Sequence, residues 1–229
     1  TIGTRSGFGK IPMAPHNMTM TVTGAGMLWV GWFGFNGGSA LAANGDAGMA
    51  MLVTHISAAA GSISWMMMEK FKFGKPSVLG IVTGMVAGLG TITPASGFVG
   101  PGGALVIGLC AGAVCFFATQ YIKQVLKIDD SLDVFPVHGV GGILGTFFAG
   151  IFASAGLGAF SGQGYSEGMT MGSQLSVQLL GIVSTVVYTA LLTFIIVKVV
   201  TAITGFRVSE EDETSGLDLI LHDERGYDL

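Results

Sequence analysis

His138 is the side chain in the run Asp133-Val-Phe-Pro-Val-His-Gly-Val-Gly-Gly-Ile-Leu-Gly145 that can take up and release a proton near neutral pH. After Asp133 no charged residue occurs until Glu167. Such a run reads as a membrane span, where an unpaired titratable ring costs several kcal/mol. A ring retained there points to a function and needs a partner. The chemistry it suits is a proton relay or direct contact with a small permeant. His138 shares a helix face with Gly141, Gly142, Gly145 and Ala149. A face of small residues packs against other helices or lines a narrow path, and it does not suit lipid. His55 is a second ring inside an apolar run, with Met51, Leu52, Ala58, Ala59 and Ser62 on its face. For both rings the competing reading is a hydrogen bond to a neighbouring carbonyl or hydroxyl. That structural reading is the stronger of the two for His55.

The stretch Gly31-Trp-Phe-Gly-Phe-Asn-Gly-Gly-Ser39 holds three aromatic rings, four glycines, an amide and a hydroxyl. Rings near a membrane interface commonly act as belt anchors. The alternative is a cation site, because ring faces attract a small desolvated cation and a Ser hydroxyl accepts a hydrogen bond from it. Asp129, Asp130 and Asp133 precede the His138 run. Carboxylates there suit capping of free helix N–H groups better than a part in conduction. Cys110 and Cys115 are five residues apart, so on a helix they diverge by about 140°. They point to packing and not to a metal or disulfide. The HExxH, GxSxG, P-loop and paired NPA signatures are absent from the sequence, and no enzymatic activity, cofactor, metal or nucleic-acid partner is expected.

The elements that must hold these residues are membrane helices. Half of the 229 residues are hydrophobic and only 10% are charged, against about 25% charged in soluble domains. The 38 glycines suit close helix packing in a bilayer. The fold class read from the chain is all-α integral membrane. Six runs are long enough to cross roughly 30 Å of hydrocarbon, at residues 20–41, 47–69, 77–94, 102–122, 134–154 and 172–204. They form a transmembrane bundle over 20–205, preceded by a loop at 1–19 and followed by a tail at 206–229. Gly80, Gly84 and Gly88 make one small-xxx-small ridge, and Gly108 with Gly112 makes another; both read as packing.

Charge sets the orientation. Arg5 and Lys10 precede the first run, Lys70, Lys72 and Lys75 follow the second, and Lys123 and Lys127 follow the fourth. Lys198, Arg207 and Arg225 lie at or beyond the end of the sixth. Alternate crossing puts all ten on one side and none on the other, which the positive-inside rule makes cytoplasmic. Both ends of the chain are then cytoplasmic. Eight of the fourteen acids fall in the last 20 residues, Asp228 included, which makes the tail an acidic solvated segment. The polar opening Thr1–Lys10 reads as a start partway through a longer protein.

The glycine-aromatic stretch 31–39, the segments Gly74-Lys-Pro-Ser-Val-Leu-Gly80 and Gly88-Leu-Gly-Thr-Ile-Thr-Pro-Ala-Ser-Gly97, and Gly102-Gly-Ala-Leu-Val-Ile-Gly108 occur in a recognisable order. They are followed by Asp129-Asp-Ser-Leu-Asp-Val-Phe-Pro-Val-His-Gly-Val-Gly-Gly142, Arg207-Val-Ser-Glu-Glu211 and Gly216-Leu-Asp218. In this set, spread along the whole chain, the protein resembles the ammonium transporter family (Amt/MEP, related to Rh proteins). The resemblance implies a trimer of pores, each of eleven spans with two inverted repeats, and makes this chain spans six to eleven. It implies that His138 is one of twin pore histidines, Phe35 one of two stacked rings at an outer gate, and Ser39 a hydroxyl at the ammonium recruitment site. Trp32 and Val134 fall in the vicinity of the pore. The other histidine, the other phenylalanine, the recruitment tryptophan and a buried aspartate would belong to a preceding half. His55 has no counterpart, which returns it to the structural reading. The tail resembles a cytoplasmic regulatory segment that couples subunits and meets PII-type signal proteins.

The implied function is ammonium recruitment, deprotonation, passage of ammonia through an apolar pore in the plasma membrane, and reprotonation inside. The alternatives are an ammonium sensor acting through the tail, or a half-chain that conducts nothing alone.

Overall fold

The computed structural model describes residues 2–11 and 13–227. Asp228, counted above in the acidic tail, and Leu229 lie outside the described residues, as do Thr1 and Pro12. Among the described residues the fold is helical throughout, with no strand. Helix α1 runs Met18–Gly38, α2 Gly45–Phe73, α3 Val78–Ile92, α4 Pro101–Gln120, α5 Val140–Phe152 and α6 Met171–Thr204. Two short helices, α7 Glu210–Ser215 and α8 Leu217–His222, form the tail.

Local chemistry explains most of these ends. Asn17, Asn44 and Ser77 cap α1, α2 and α3 through side-chain oxygens that accept from backbone N–H groups. Thr170 and Ser173 form a reciprocal capping box on α6. Helix α2 ends at Gly74, whose φ of 80° suits glycine, with Lys70 and Lys72 against the negative end of its dipole. The first helix stops at Gly38, short of the limit at 41 read from the sequence. Two consecutive glycines favour that end over continuation.

Five helical stretches are long and apolar enough to cross a membrane: Gly45–Phe73, Val78–Ala95, Pro101–Val125, Phe135–Phe152 and Met171–Thr204. Helix α1 has 21 residues but is not among them. Thr19, Thr21, Thr23, Asn36 and its glycines dilute its apolar character, so six is not the number that length and composition give. Helix α6 has 34 residues, about 51 Å at 1.5 Å per residue, and exceeds the ~30 Å hydrocarbon core.

The core is built on close backbone approach. A small-residue stripe on α2, Ser57, Gly61 and Ser64, receives both glycine ridges. Gly88 and Gly108 abut Ser57 of α2, and Gly84 and Gly112 abut Gly61. A Cβ at any of these four glycines would collide with backbone, so the ridges act as packing surfaces. Polar groups cross the same contacts: Ser57 Oγ donates to Gly88 O at 2.8 Å and Ser64 Oγ to Leu109 O at 2.7 Å. Helix α6 has no buried residue and leans on α5, where Leu175 meets Gly150.

The two ends of the chain meet. Arg5 donates through its backbone N–H, Nε and Nη2 to Asp129, at 2.8, 2.9 and 2.7 Å. Arg207 donates to Thr4 O at 2.7 Å and to Glu213 at 2.6 Å. Ser6 N donates to Glu213 at 2.9 Å and Ser6 Oγ to Glu210 at 3.1 Å. The segment at residues 2–6 therefore ties the tail to the loop that precedes α5. Hydrogen bonds and charge from Arg5 hold the Asp129 carboxyl below its usual range. The Ser6 backbone N–H, then Arg207, do the same for Glu213.

Candidate functional site

The site grows from the strand of backbone that enters α5. Asp130 caps it: its carboxylate accepts from Val134 N at 2.9 Å and Phe135 N at 2.8 Å. Asp129 and Asp133 do other work, since Asp129 takes Arg5 and Asp133 Oδ1 lies 2.7 Å from Lys123 Nζ. The capping expectation thus holds for one aspartate of three. Burial still raises the Asp133 carboxyl above its usual range in spite of Lys123. Phe135–Gly139 then forms a wide π-helical turn. Pro136 removes one backbone donor there, and the wider turn changes the direction of the side chain that follows.

His138 leaves this turn exposed. It makes no hydrogen bond among the described residues. A Cβ on Gly90 of α3 would stand 3.6 Å from its Nδ1, so that edge of the ring faces α3. The other side opens onto a groove of about 1040 Å³ between α5 and α6. Phe135, Gly142 and Thr146 line it on one wall, and Gly181, Thr185 and Thr189 on the other. Val134 does not line this groove; it is exposed and takes part through its backbone bond to Asp130.

Helix α1 supplies the facing rings. The Trp32 ring lies nearly parallel to His138, at 15° with centroids 6.3 Å apart. Phe35 meets Trp32 edge-on at 82° and 6.3 Å, and 62% of it is exposed. Trp32 Nε1 donates to Thr93 Oγ1 at 2.8 Å. One turn above, the Ser39 hydroxyl donates to Phe35 O at 2.8 Å, which leaves its oxygen free to accept from a cation. The structure therefore brings His138, Trp32 and Phe35 together, with Ser39 on the same helix beyond them. Thr93 belongs to this group and was not singled out in the sequence. Its only signal there was its place in the glycine-bounded segment 88–97.

His55 sits elsewhere. Its ring is 5.1 Å from Trp29 and 6.0 Å from Phe33, both tilted against it. It is exposed and, among the described residues, has no hydrogen bond; the carbonyl or hydroxyl partner expected from the sequence is replaced by two rings. On the opposite, buried face of α2, the Ser57 and Ser64 hydroxyls donate to carbonyls of α3 and α4.

Comparison with known proteins places this arrangement of helices. The profile described as Ammonium Transporter Family matches residues 1–227. A putative ammonium transporter of Methanothermobacter thermautotrophicus is 47% identical over 218 residues, covering 95% of this chain and 53% of that protein. The ammonium transporter Amt1 of Archaeoglobus fulgidus is 47% identical over 228 residues, covering 99% and 56%. Among solved structures, a sensor Amt protein superposes with a TM-score of 0.85 at 30% identity, over 96% of this chain and 53% of that one. Saccharomyces cerevisiae Mep2 gives 0.79 at 36% identity, over 90% and 48%. The chain spans about half the length of the relatives it matches. The family profile over residues 1–227 and relatives 47% identical over nearly all of this chain show that it belongs to the ammonium transporter family.

Proposed function

We propose that the protein containing this chain carries ammonium across the membrane as ammonia, with the proton handled at His138. The observation that carries this reading is the placement of His138. It is an exposed titratable ring on a helix of small residues, beside an open groove and parallel to Trp32. Ammonium and potassium are alike in size and charge, but only ammonium can give up a proton. An apolar path excludes ions by desolvation and admits ammonia. In this reading Ser39 and the rings at Trp32 and Phe35 receive the cation, Phe35 gates the path, and imidazole accepts and passes the proton.

The rest of the assembly follows the same reading. Helix α1 is the first of six spans and this chain is the C-terminal half of an eleven-span pore, whose other wall is a preceding half. The protein is a trimer in the plasma membrane with its tail in the cytoplasm. The ten-to-none distribution of Arg and Lys supports that orientation, as does the meeting of residues 2–6, the loop at Asp129 and Glu213. Helices α7 and α8, with no buried residue, are the surface offered to a PII-type signal protein.

The test is His138→Ala in the full-length protein, reconstituted in liposomes. The reading expects ammonium uptake to fall or selectivity over potassium to collapse. Unchanged uptake with unchanged selectivity would sink it. Residues 1–229 alone are expected to conduct nothing, and methylammonium flux through liposomes holding only this chain would contradict that.

A further inference from the structure

We propose that Thr93 is a positioning residue that fixes the Trp32 ring against His138. Thr93 opens the short turn Thr93–Ala95 at the end of α3. Its hydroxyl donates to Leu89 O at 2.8 Å and accepts from Trp32 Nε1 at 2.8 Å. The single hydroxyl proton is committed to the backbone, so the oxygen has one polarity toward the indole. An indole N–H is a donor only. The pair therefore has one way to form, and it fixes the tilt of Trp32 about its own side-chain bonds.

That tilt is the one that brings the indole within 15° of parallel to His138. Trp29, one turn earlier on α1, shows what an unanchored indole does. Its Nε1 is buried and has no hydrogen-bond partner among the described residues, and its ring meets His55 at 34°. A parallel indole face offers His138 no lone pair. It leaves both ring nitrogens at the ring edge, without a hydrogen bond among the described residues. One edge, at Nδ1, faces Gly90, whose missing Cβ would stand 3.6 Å away, and the ring also lines the groove. Thr93 acts on this only through Trp32.

The inference rests on the proton role of His138 for its transport readout but not for its structural one. In the full-length protein, Thr93→Val removes the hydroxyl at constant shape. Methylammonium uptake is expected to fall about five- to tenfold, the scale of one lost hydrogen bond. Thr93→Ser should restore it. In a Trp32→Phe background, which has no N–H to hold, Thr93→Val should add less than about twofold. Losses that multiply in that background, or a Ser variant as poor as Val, would overturn the proposal. The second readout needs no transport. In 15N-tryptophan-labelled protein, the indole N–H resonance that disappears in Trp32→Phe should move upfield in Thr93→Val and stay in place in Thr93→Ser. An unmoved resonance in Thr93→Val refutes the bond whatever the protein carries. A moved resonance together with unchanged uptake in His138→Ala supports the anchor and rejects the transport role instead.

Discussion

Two histidines of this chain sit on rings supplied by one helix, and their surroundings differ. His138 lies parallel to Trp32, whose N–H is held by Thr93. His55 lies tilted on Trp29, whose buried N–H has no partner among the described residues. Both rings are exposed and both lack a hydrogen bond among the described residues. Aromatic neighbours and burial do not separate them. What separates them is anchoring, and the space in front: His138 emerges from a π-helical turn onto an open groove. On the reading proposed above, His138 is prepared for chemistry by what holds its aromatic neighbour, and His55 is not.

The largest effect should break the symmetry outright. In the full-length protein His138→Ala is expected to cut ammonium uptake on the order of 100-fold, the lower range for a positioned proton acceptor. His55→Ala should stay within about twofold of wild type, as expected of a residue outside the reacting site. Equal losses in matched uptake assays would erase the distinction.

A scaffold change should hit both rings together. Gly88 abuts the backbone of Ser57 and Ala58, so Gly88→Val forces α3 from α2 and should cost about 3 kcal/mol or more, at or above the upper range for overpacking. Gly24→Ala on α1 meets open space and should be within about 0.5 kcal/mol of neutral. Thermal unfolding in detergent checks both. A Gly88→Val protein as stable as wild type would mean the ridge is not packed as described.

The two tryptophans give a smaller and sharper contrast. Trp32→Phe loses a hydrogen bond and should cost about 1 kcal/mol. Trp29→Phe removes a buried donor with no partner among the described residues and should be neutral or slightly stabilising. Equal denaturation midpoints for the two variants would contradict the difference in anchoring.

The smallest effect concerns acid, and it reaches only the His138 side, because Asp129 and Asp133 both precede α5. The Asp129 carboxyl is depressed by Arg5, so its contribution is complete above the ordinary aspartate pKa and is lost as pH falls through the lower folded value, below about pH 4. Asp133 has the opposite sign: burial raises it, so protonation on the way down favours the fold. Amide exchange at Arg5 and Ser6 should rise below about pH 4 and rise more steeply in Asp133→Asn. Exchange that is flat in acid would remove Asp129 as the clasp.

Much of this was legible in the sequence because it is local. The runs of apolar residues, the glycine ridges and the Asn and Ser caps depend on neighbours a few positions away. His138 and the glycine-aromatic stretch 31–39 stand out as costly or unusual residue types in apolar surroundings, while Phe35 is singled out within that stretch only by the family resemblance. Thr93 was not legible, because its partner Trp32 lies 61 positions away and a threonine near a helix end is common. Asp129 and Asp133 were misread as caps for the same reason: Arg5 is 124 residues from Asp129. The rings around His55 come from the pitch at which α1 crosses α2, and periodicity within either helix does not encode that angle.

The clasp between Ser6 and Glu213 spans 207 positions of sequence, and this has a consequence in time. At about 5–20 residues per second of synthesis, Glu213 leaves the ribosome roughly 10–40 s after Ser6. Every helix that carries a ring of the site is made in that interval. The contact that joins Arg5, Asp129 and the tail is then completed only after the helices of the bundle it closes have been made.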